Sequence, residues 1–352
     1  IGHNLDDDDV ALLLLGFELL ESENRSLGGF GTSGHGSVIW QRTALSCLDR
    51  GGVAEWLRQS GAEAPLDRSL PKLSIDAVKA IVGRVDALRG ELLPRPELAL
   101  ELRLQFVSPF LVNEPREAEK ASGSEDKDKH IQLAPRLGEA GRPVLPGRSL
   151  RGALRARAQR IARTLYPDDR TRPKFKGISQ AHGHDDELEL WEWLFGSPGW
   201  KAAVTVTDFL APPNAPTRDQ EFVAIDRFTG GVAGPRKYTI RTVAEPVMKG
   251  SLRVDLCRLS TVADGSAALG LLLLTLKDLL EGDITVGYGA AKGFGVCTGT
   301  IKKGSLCDPP CAHEPVVFAW DPRSGNYESV PQAVQTWMRN AVSALRKNFK
   351  AS

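Results

Sequence analysis

Leu98, Leu100, Leu102, Leu104 and Phe106 alternate with Ala99, Glu101, Arg103 and Gln105. A period of two predicts a half-buried strand. Ser108-Pro109-Phe110 stops it, and residues 113–130, charged and poor in apolar side chains, predict a mobile loop. The period then changes: Leu150, Ala153, Leu154, Ala158, Ile161, Ala162 and Leu165 recur at helical spacing. Val204 to Phe209 and Glu221 to Ile225 read as strands, and Leu252, Val254 and Leu256 alternate again. A Leu-rich helix over Ser266 to Glu281 leads through a glycine-rich loop to a closing strand, Val296 to Ile301. The order strand, helix, strands, helix, strand is the split βαβ, ferredoxin-like (RRM-type) pattern of the α+β class. Residues 174–248 are too long for a plain connection and predict an insertion on one edge.

A repeat organises the chain. Val10–Val38 compares with Leu269–Val296, without gaps from Val10 on Leu269 to Ser37 on Val296: Leu12–Leu15 meet Leu271–Leu274, Gly28 meets Gly287, Gly34 meets Gly293 and Gly36 meets Gly295. Leu is common in helices; the shared glycine spacing is what distinguishes the match. It predicts a first unit represented only by its C-terminal part, residues 1–42, and a complete unit over 96–305. Residues 43–95 read as a helical linker and residues 306–352 as a tail with an amphipathic helix, Val330 to Phe349.

Composition narrows the chemistry. The 352 residues are 41% hydrophobic with net charge +1, so any polyanion site must come from local basic clusters. No apolar run reaches the roughly 20 residues of a membrane span, and the five cysteines are odd in number and scattered. Both point to the cytoplasm, with no membrane partner. The Ile-Gly-His start predicts a segment of a longer protein, or a chain whose start is missing.

Arg148, Ser149 and Arg151 open the helix that follows Leu145-Pro146-Gly147. Free N–H groups and the positive dipole end there suit a phosphate; a solvated basic face is the plainer alternative. Gly287, Gly289, Gly293 and Gly295 surround Lys292 in a loop whose amides could face an anion, or which is simply a tight turn. It is not a dinucleotide fingerprint, because it follows a helix and leads into a strand. Arg227 and Phe228 precede Gly230-Gly231 at a hairpin tip, where they could contact phosphate and stack on a base. Cys307, Cys311 and His313 lack a nearby fourth ligand. No nucleophilic triad can be argued from spacing.

These residues resemble the RAMP superfamily, the CRISPR-associated proteins that assemble along guide RNA. Leu145–Gly152 is similar to the family's helix-opening motif, Gly287–Gly295 to its C-terminal glycine-rich loop, and Asp226–Gly231 to the thumb hairpin of type III backbone subunits. The tandem arrangement is similar to the fused backbone proteins of type III-D and III-E systems. In those a cysteine-rich zinc finger follows the first helix; here Leu190–Gly196 stands in its place without cysteines, which argues against structural zinc.

The resemblance implies guide crRNA, complementary target RNA and other type III effector subunits or fused RAMP units as partners. It also implies cleavage of the target by an aspartate in the loop after the first strand, with a divalent metal, Mg or Mn. By position Asp128 is the best match, with Asp126 and Glu125 as rivals. A non-catalytic scaffold holding guide RNA is the alternative. A guide-processing endonuclease is more remote, because no histidine lies in the first helix.

Overall fold

The computed structural model describes residues 7–22, 81–88, 96–122, 131–167, 174–176, 187–261, 265–308, 312–322 and 330–350. The chain divides into two compact units, residues 1–31 with 36–93, and residues 32–35 with 94–352.

In the smaller unit, helix α1 (Asp7–Ser22) packs Ala11, Leu14 and Leu15 against Ile81 and Val85 of helical residues 81–88. Asp8 and Arg84 pair at 2.7 Å. Leu12 and Leu13 are 61% and 55% exposed, whereas their repeat counterparts Leu271 and Leu272 are fully buried. The same leucine block therefore meets different surroundings in its two copies.

The larger unit is built on strand β1 (Glu97–Phe106), whose buried positions are the five predicted, Leu98, Leu100, Leu102, Leu104 and Phe106. Each such side chain is worth about 1.5–3 kcal/mol on burial. Two short strands, β2 (Ile131–Leu133) and β3 (Val144–Leu145), precede helix α3 (Gly147–Leu165). Helix α2 (Pro115–Ser122) lies before β2. It corrects the expected mobile loop over 113–130: Pro115 opens it, Glu117 and Lys120 complement its dipole ends, and Ala118 is buried.

Beyond α3 come β4 (Lys174–Lys176), β5 (Glu187–Glu189) and the short helix α4 (Leu190–Phe195). Strands β6 (Val204–Val206) and β7 (Phe209–Leu210) divide what the sequence suggested was one strand. A long hairpin, β8 (Thr217–Ile225) and β9 (Val232–Val243), leads to β10 (Val247–Asp255) and helix α5 (Leu256–Ser260). Helix α6 (Gly265–Glu281), strand β11 (Cys297–Asp308), strand β12 (Ala312–Trp320) and helix α7 (Gln332–Lys350) are the last described elements.

The main sheet runs β12-β11-β1-β10-β7-β3, with β6 also on β10. All its pairings are antiparallel. Taking β1, β6, β10 and β11 as the four strands around α3 and α6 gives the spatial order 4-1-3-2, which is compatible with a ferredoxin-like fold. The hairpin forms a second sheet, β2-β9-β8, in which β2 runs parallel to β9. The closing strand does not end at Ile301 but continues to Asp308 and pairs with β12.

The helices cover one face of the main sheet. Leu190, Trp191, Trp193, Leu194 and Phe195 of α4 are all buried in the core shared with α3 and α6. Helices α6 and α7 approach closely at Gly270, where a Cβ would lie 2.3 Å from the Ala341 carbonyl oxygen. Tyr166 ties the end of α3 to α7 by donating its hydroxyl to the Leu345 carbonyl at 2.9 Å.

Gly147 is a close-approach glycine. A Cβ would lie 2.2 Å from the Val206 oxygen and 2.8 Å from that of Thr207. Gly147→Ala is expected to cost about 1–3 kcal/mol through forced displacement of the β6–β7 link, read as a fall in thermal midpoint of about 2–4 °C per kcal/mol. An unchanged midpoint would contradict this packing account.

Candidate nucleic-acid interface

The start of α3 is less open than the sequence suggested. The Gly147 N–H donates to the Asp208 carboxylate at 2.8 Å, and the Ser149 N–H donates to the Pro146 carbonyl at 2.8 Å. The glycine serves the approach of β6 and β7 rather than of a ligand, a correction that spacing could not supply because Asp208 is 61 residues away. Arg148 and Ser149 are exposed. Arg148 has no ion-pair partner among the described residues.

Arg151 turns the other way. Its guanidinium donates to the Phe195 carbonyl, and Arg155 donates to the Gly196 carbonyl at 2.8 Å. The two arginines thus cap the carbonyl end of α4, where cations are favoured. Burial, with the nearby Arg155 charge, lowers the Arg151 pKa from its ordinary value. Arg157 binds Asp278 of α6 at 2.6 Å. Of the helix's basic row, Arg148 is the one at the exposed start.

The glycine loop is anchored by its own amides. Tyr288 and Gly295 donate to the Leu111 and Pro109 carbonyls at 2.6 and 2.8 Å, and Val286 donates to Gly295 at 2.9 Å. Gly287 (φ 93°) and Gly295 (φ 79°) are required twice over, since a Cβ would lie 2.5 Å from the Leu111 oxygen and 2.1 Å from the Val286 oxygen. Gly289 (φ 89°) and Gly293 (φ 78°) flank the turn that carries Lys292. Phe294 inserts beside Leu111 and Ile240, with Phe222 and Tyr238 of the hairpin around it. Lys292 is exposed, and its ammonium stands 5.8 Å from the Tyr288 ring and 5.9 Å from the Phe222 ring. The loop therefore locks onto the hairpin's base and presents one cation there. Gly34 and Gly36, the repeat's counterparts, lie outside the described residues.

The hairpin tip is ordered by one carboxylate. Asp226 Oδ1 accepts from the Phe228 N–H at 2.9 Å, the Thr229 N–H at 2.8 Å and the Thr229 hydroxyl at 3.1 Å. The Thr229 N–H, then the Phe228 N–H and the Thr229 hydroxyl, hold its carboxyl below the usual aspartate range. Phe228 is 95% exposed, and Ile225 and Val232, paired across the strands, are 68% and 61% exposed. Arg227 is exposed beside them. An ordered turn thus holds an apolar tip and a cation in solvent.

Residues 103–298, more than half of the chain, match the family model of the RAMP superfamily. The chain belongs to the RAMP superfamily. No curated protein matches it. RAMP membership supports a CRISPR-associated, RNA-binding role, with RNA and CRISPR complexes as the partner class. No described helix is long and apolar enough to cross a membrane.

Within this RAMP unit, Glu125, Asp126 and Asp128 lie outside the described residues. Their flanks do not. Ser122 Oγ accepts from the Ile131 N–H at 2.9 Å and donates to the Ile131 carbonyl at 3.0 Å. Ile131 opens β2, the strand added to the hairpin sheet. Ser122, at the end of α2, and Ile131, at the start of that strand, are thus tied to each other, a contact the sequence did not signal. Among the described residues no three metal-ligating side chains converge. Cys307 is buried in β11, and burial and the Asp308 charge push its thiol up; Cys311 lies outside the described residues.

Arg148→Ala and Lys292→Ala should weaken RNA binding equally for all sequences, each flattening the log–log salt slope by about 0.7. Arg151→Ala should instead lower thermal stability through the α4 carbonyls. Sequence-selective losses, or an Arg151 effect on binding without loss of stability, would contradict this division.

A second expectation concerns pH. The ionised Asp226 is the form that is bonded, so the tip holds above the ordinary aspartate pKa, about 4. It loosens as pH falls through the lowered folded-state value. Asp226→Ala should speed amide exchange at Phe228 and Thr229 at neutral pH; unchanged exchange would show the turn to be held by other means.

Proposed function

We propose that the chain is a backbone subunit of a CRISPR type III effector that holds guide crRNA, pairs it with target RNA and cuts that target. In this reading the β8–β9 hairpin is the thumb. Residues 1–42 are the end of a preceding unit, as in fused type III-D and III-E backbones.

One observation carries the reading. The flanks of the acidic segment, the exposed hairpin and the Lys292 loop share one small sheet: β2 pairs with β9, and Phe294 packs on Ile240 of that strand. A basic loop, an apolar wedge and a source of carboxylates attached to the same few strands suit an RNA backbone that must be held, unstacked and cut.

The chemistry is transfer of the phosphoryl group to the neighbouring ribose oxygen. The 2′-oxygen bonds to phosphorus as the P–O5′ bond breaks and O5′ takes a proton from water, leaving a cyclic phosphate and a 5′-hydroxyl. Exposed Phe228, or its equivalent on an adjacent unit, unstacks one nucleotide so that the 2′-OH lines up with its phosphate. Asp128, with Asp126 and Glu125 as rivals, accepts the 2′-OH proton, help worth roughly 10²–10⁴-fold. A bound Mg or Mn ion would neutralise charge developing on the phosphate.

The test is a cleavage assay on guide-complementary RNA with magnesium or manganese. Asp128→Ala is expected to abolish cutting at one site with target binding intact. Loss in Asp126→Ala or Glu125→Ala alone would keep the mechanism and move the residue. Normal cutting by all three variants, or none by the wild type, would make the chain a non-catalytic scaffold.

A further inference from the structure

The face of the main sheet away from the helices holds a trough of about 500 Å³ across β1, β10 and β11. Register places small residues on its floor: Ala99 is opposite both Arg253 and Ser305, and Glu101 is opposite both Ser251 and Lys303. Among the described residues Lys249, Arg253, Lys302 and Lys303 line it against one carboxylate, Glu101. In a chain of net charge +1, this is a concentrated field.

The lysine pair on β11 is a built feature. Neighbouring strand residues normally face opposite sides. Here the β1–β11 register slips between Glu101 and Leu102, so that Lys303 pairs with Glu101 while Ile301 pairs with Leu102. Lys302 is the extra residue of a bulge, a device that re-aims side chains. Both lysines are exposed and both line the trough. Among the described residues neither they nor Lys249 has an ion-pair partner.

Arg103 also lies directly across from Lys249. Its guanidinium donates to Gln105 at 3.1 Å rather than to a carboxylate. Like charges directly opposite in a sheet destabilise it, so the protein carries an electrostatic cost that a bound polyanion would relieve. Arg253 is the exception, reaching Glu97 at 3.6 Å.

We propose that this trough is a second nucleic-acid track that takes a single-stranded RNA by its sugar–phosphate backbone, without reading bases. Charge complementarity selects the occupant, as in grooves that follow a strand by its phosphates. Among the described residues no aromatic ring lines the trough, so they offer no platform for stacking. Thr207, one of the lining residues, has its carbonyl close to Gly147. The trough stands on its own residues and does not require cleavage or the proposed role of Lys292.

The experiment uses the full chain and a fluorescent 20-nucleotide oligouridylate, followed by anisotropy between 50 and 200 mM salt. The triple variant Lys249→Ser, Lys302→Ser, Lys303→Ser is expected to bind more weakly, with its log–log salt slope shallower by about 2, at about 0.7 per phosphate on a single strand. Glu101→Gln is expected to bind more tightly, a gain that misfolding cannot produce. Unchanged affinity and slope in the triple variant would overturn the proposal. Displacement of the RNA by polyglutamate of equal charge as effectively as by unlabelled RNA would overturn it in favour of an acidic protein segment. Loss in the triple variant with none in Arg148→Ala or Lys292→Ala would leave the trough standing and remove the helix-start and glycine-loop contacts instead.

Discussion

The structure depends on the two-sidedness of β1. The strand sits between β10 and β11, antiparallel to both. Its leucines and Phe106 point to the helices, and Ala99, Glu101, Arg103 and Gln105 point the other way. A slip of one residue would exchange the two sets, exposing the leucines and burying Glu101 and Arg103. Burial on one side therefore fixes what the open side displays. The core and the charged face are two consequences of one register.

The helix side uses its polar groups mostly to hold itself together. Arg151 and Arg155 reach the carbonyl end of α4, Arg157 reaches Asp278, and Asp208 takes the first N–H of α3. Trp191, Trp193 and Phe195 of α4 are buried in the core on this side. What is left exposed stands at the edges: Arg148 at the helix start, Lys292 on its glycine loop, and Phe228 at a tip whose turn Asp226 organises. At Gly287 and Gly295 positive φ and a close approach to backbone coincide.

Much of this was legible in the sequence because it depends on short-range periodicity. The alternation in β1, the 3.6-residue spacing in α3 and the glycine spacing after α6 each carry their own signal. What was not legible depends on pairing at a distance. The direction of Arg151 is decided by the Phe195 carbonyl, 44 residues on. Helix α2 was hidden because its composition is almost wholly polar and only Ala118 is buried among its described side chains. Strand β12 was hidden by Pro315, which is tolerated because β12 is the sheet's last strand. Lys302 and Lys303 look like an ordinary charged pair in a strand until the bulge turns both to one face.

Whether this RAMP-superfamily chain holds a guide RNA, as proposed, is tested most directly by what nucleic acid copurifies with it. The full chain, expressed with its repeat array and purified without nuclease, should show the absorbance of a nucleoprotein. Sequencing of the extracted RNA should return repeat-derived ends joined to spacer sequence, of defined length. Protein-only absorbance, together with failure to bind repeat-derived RNA added afterwards, would contradict the account.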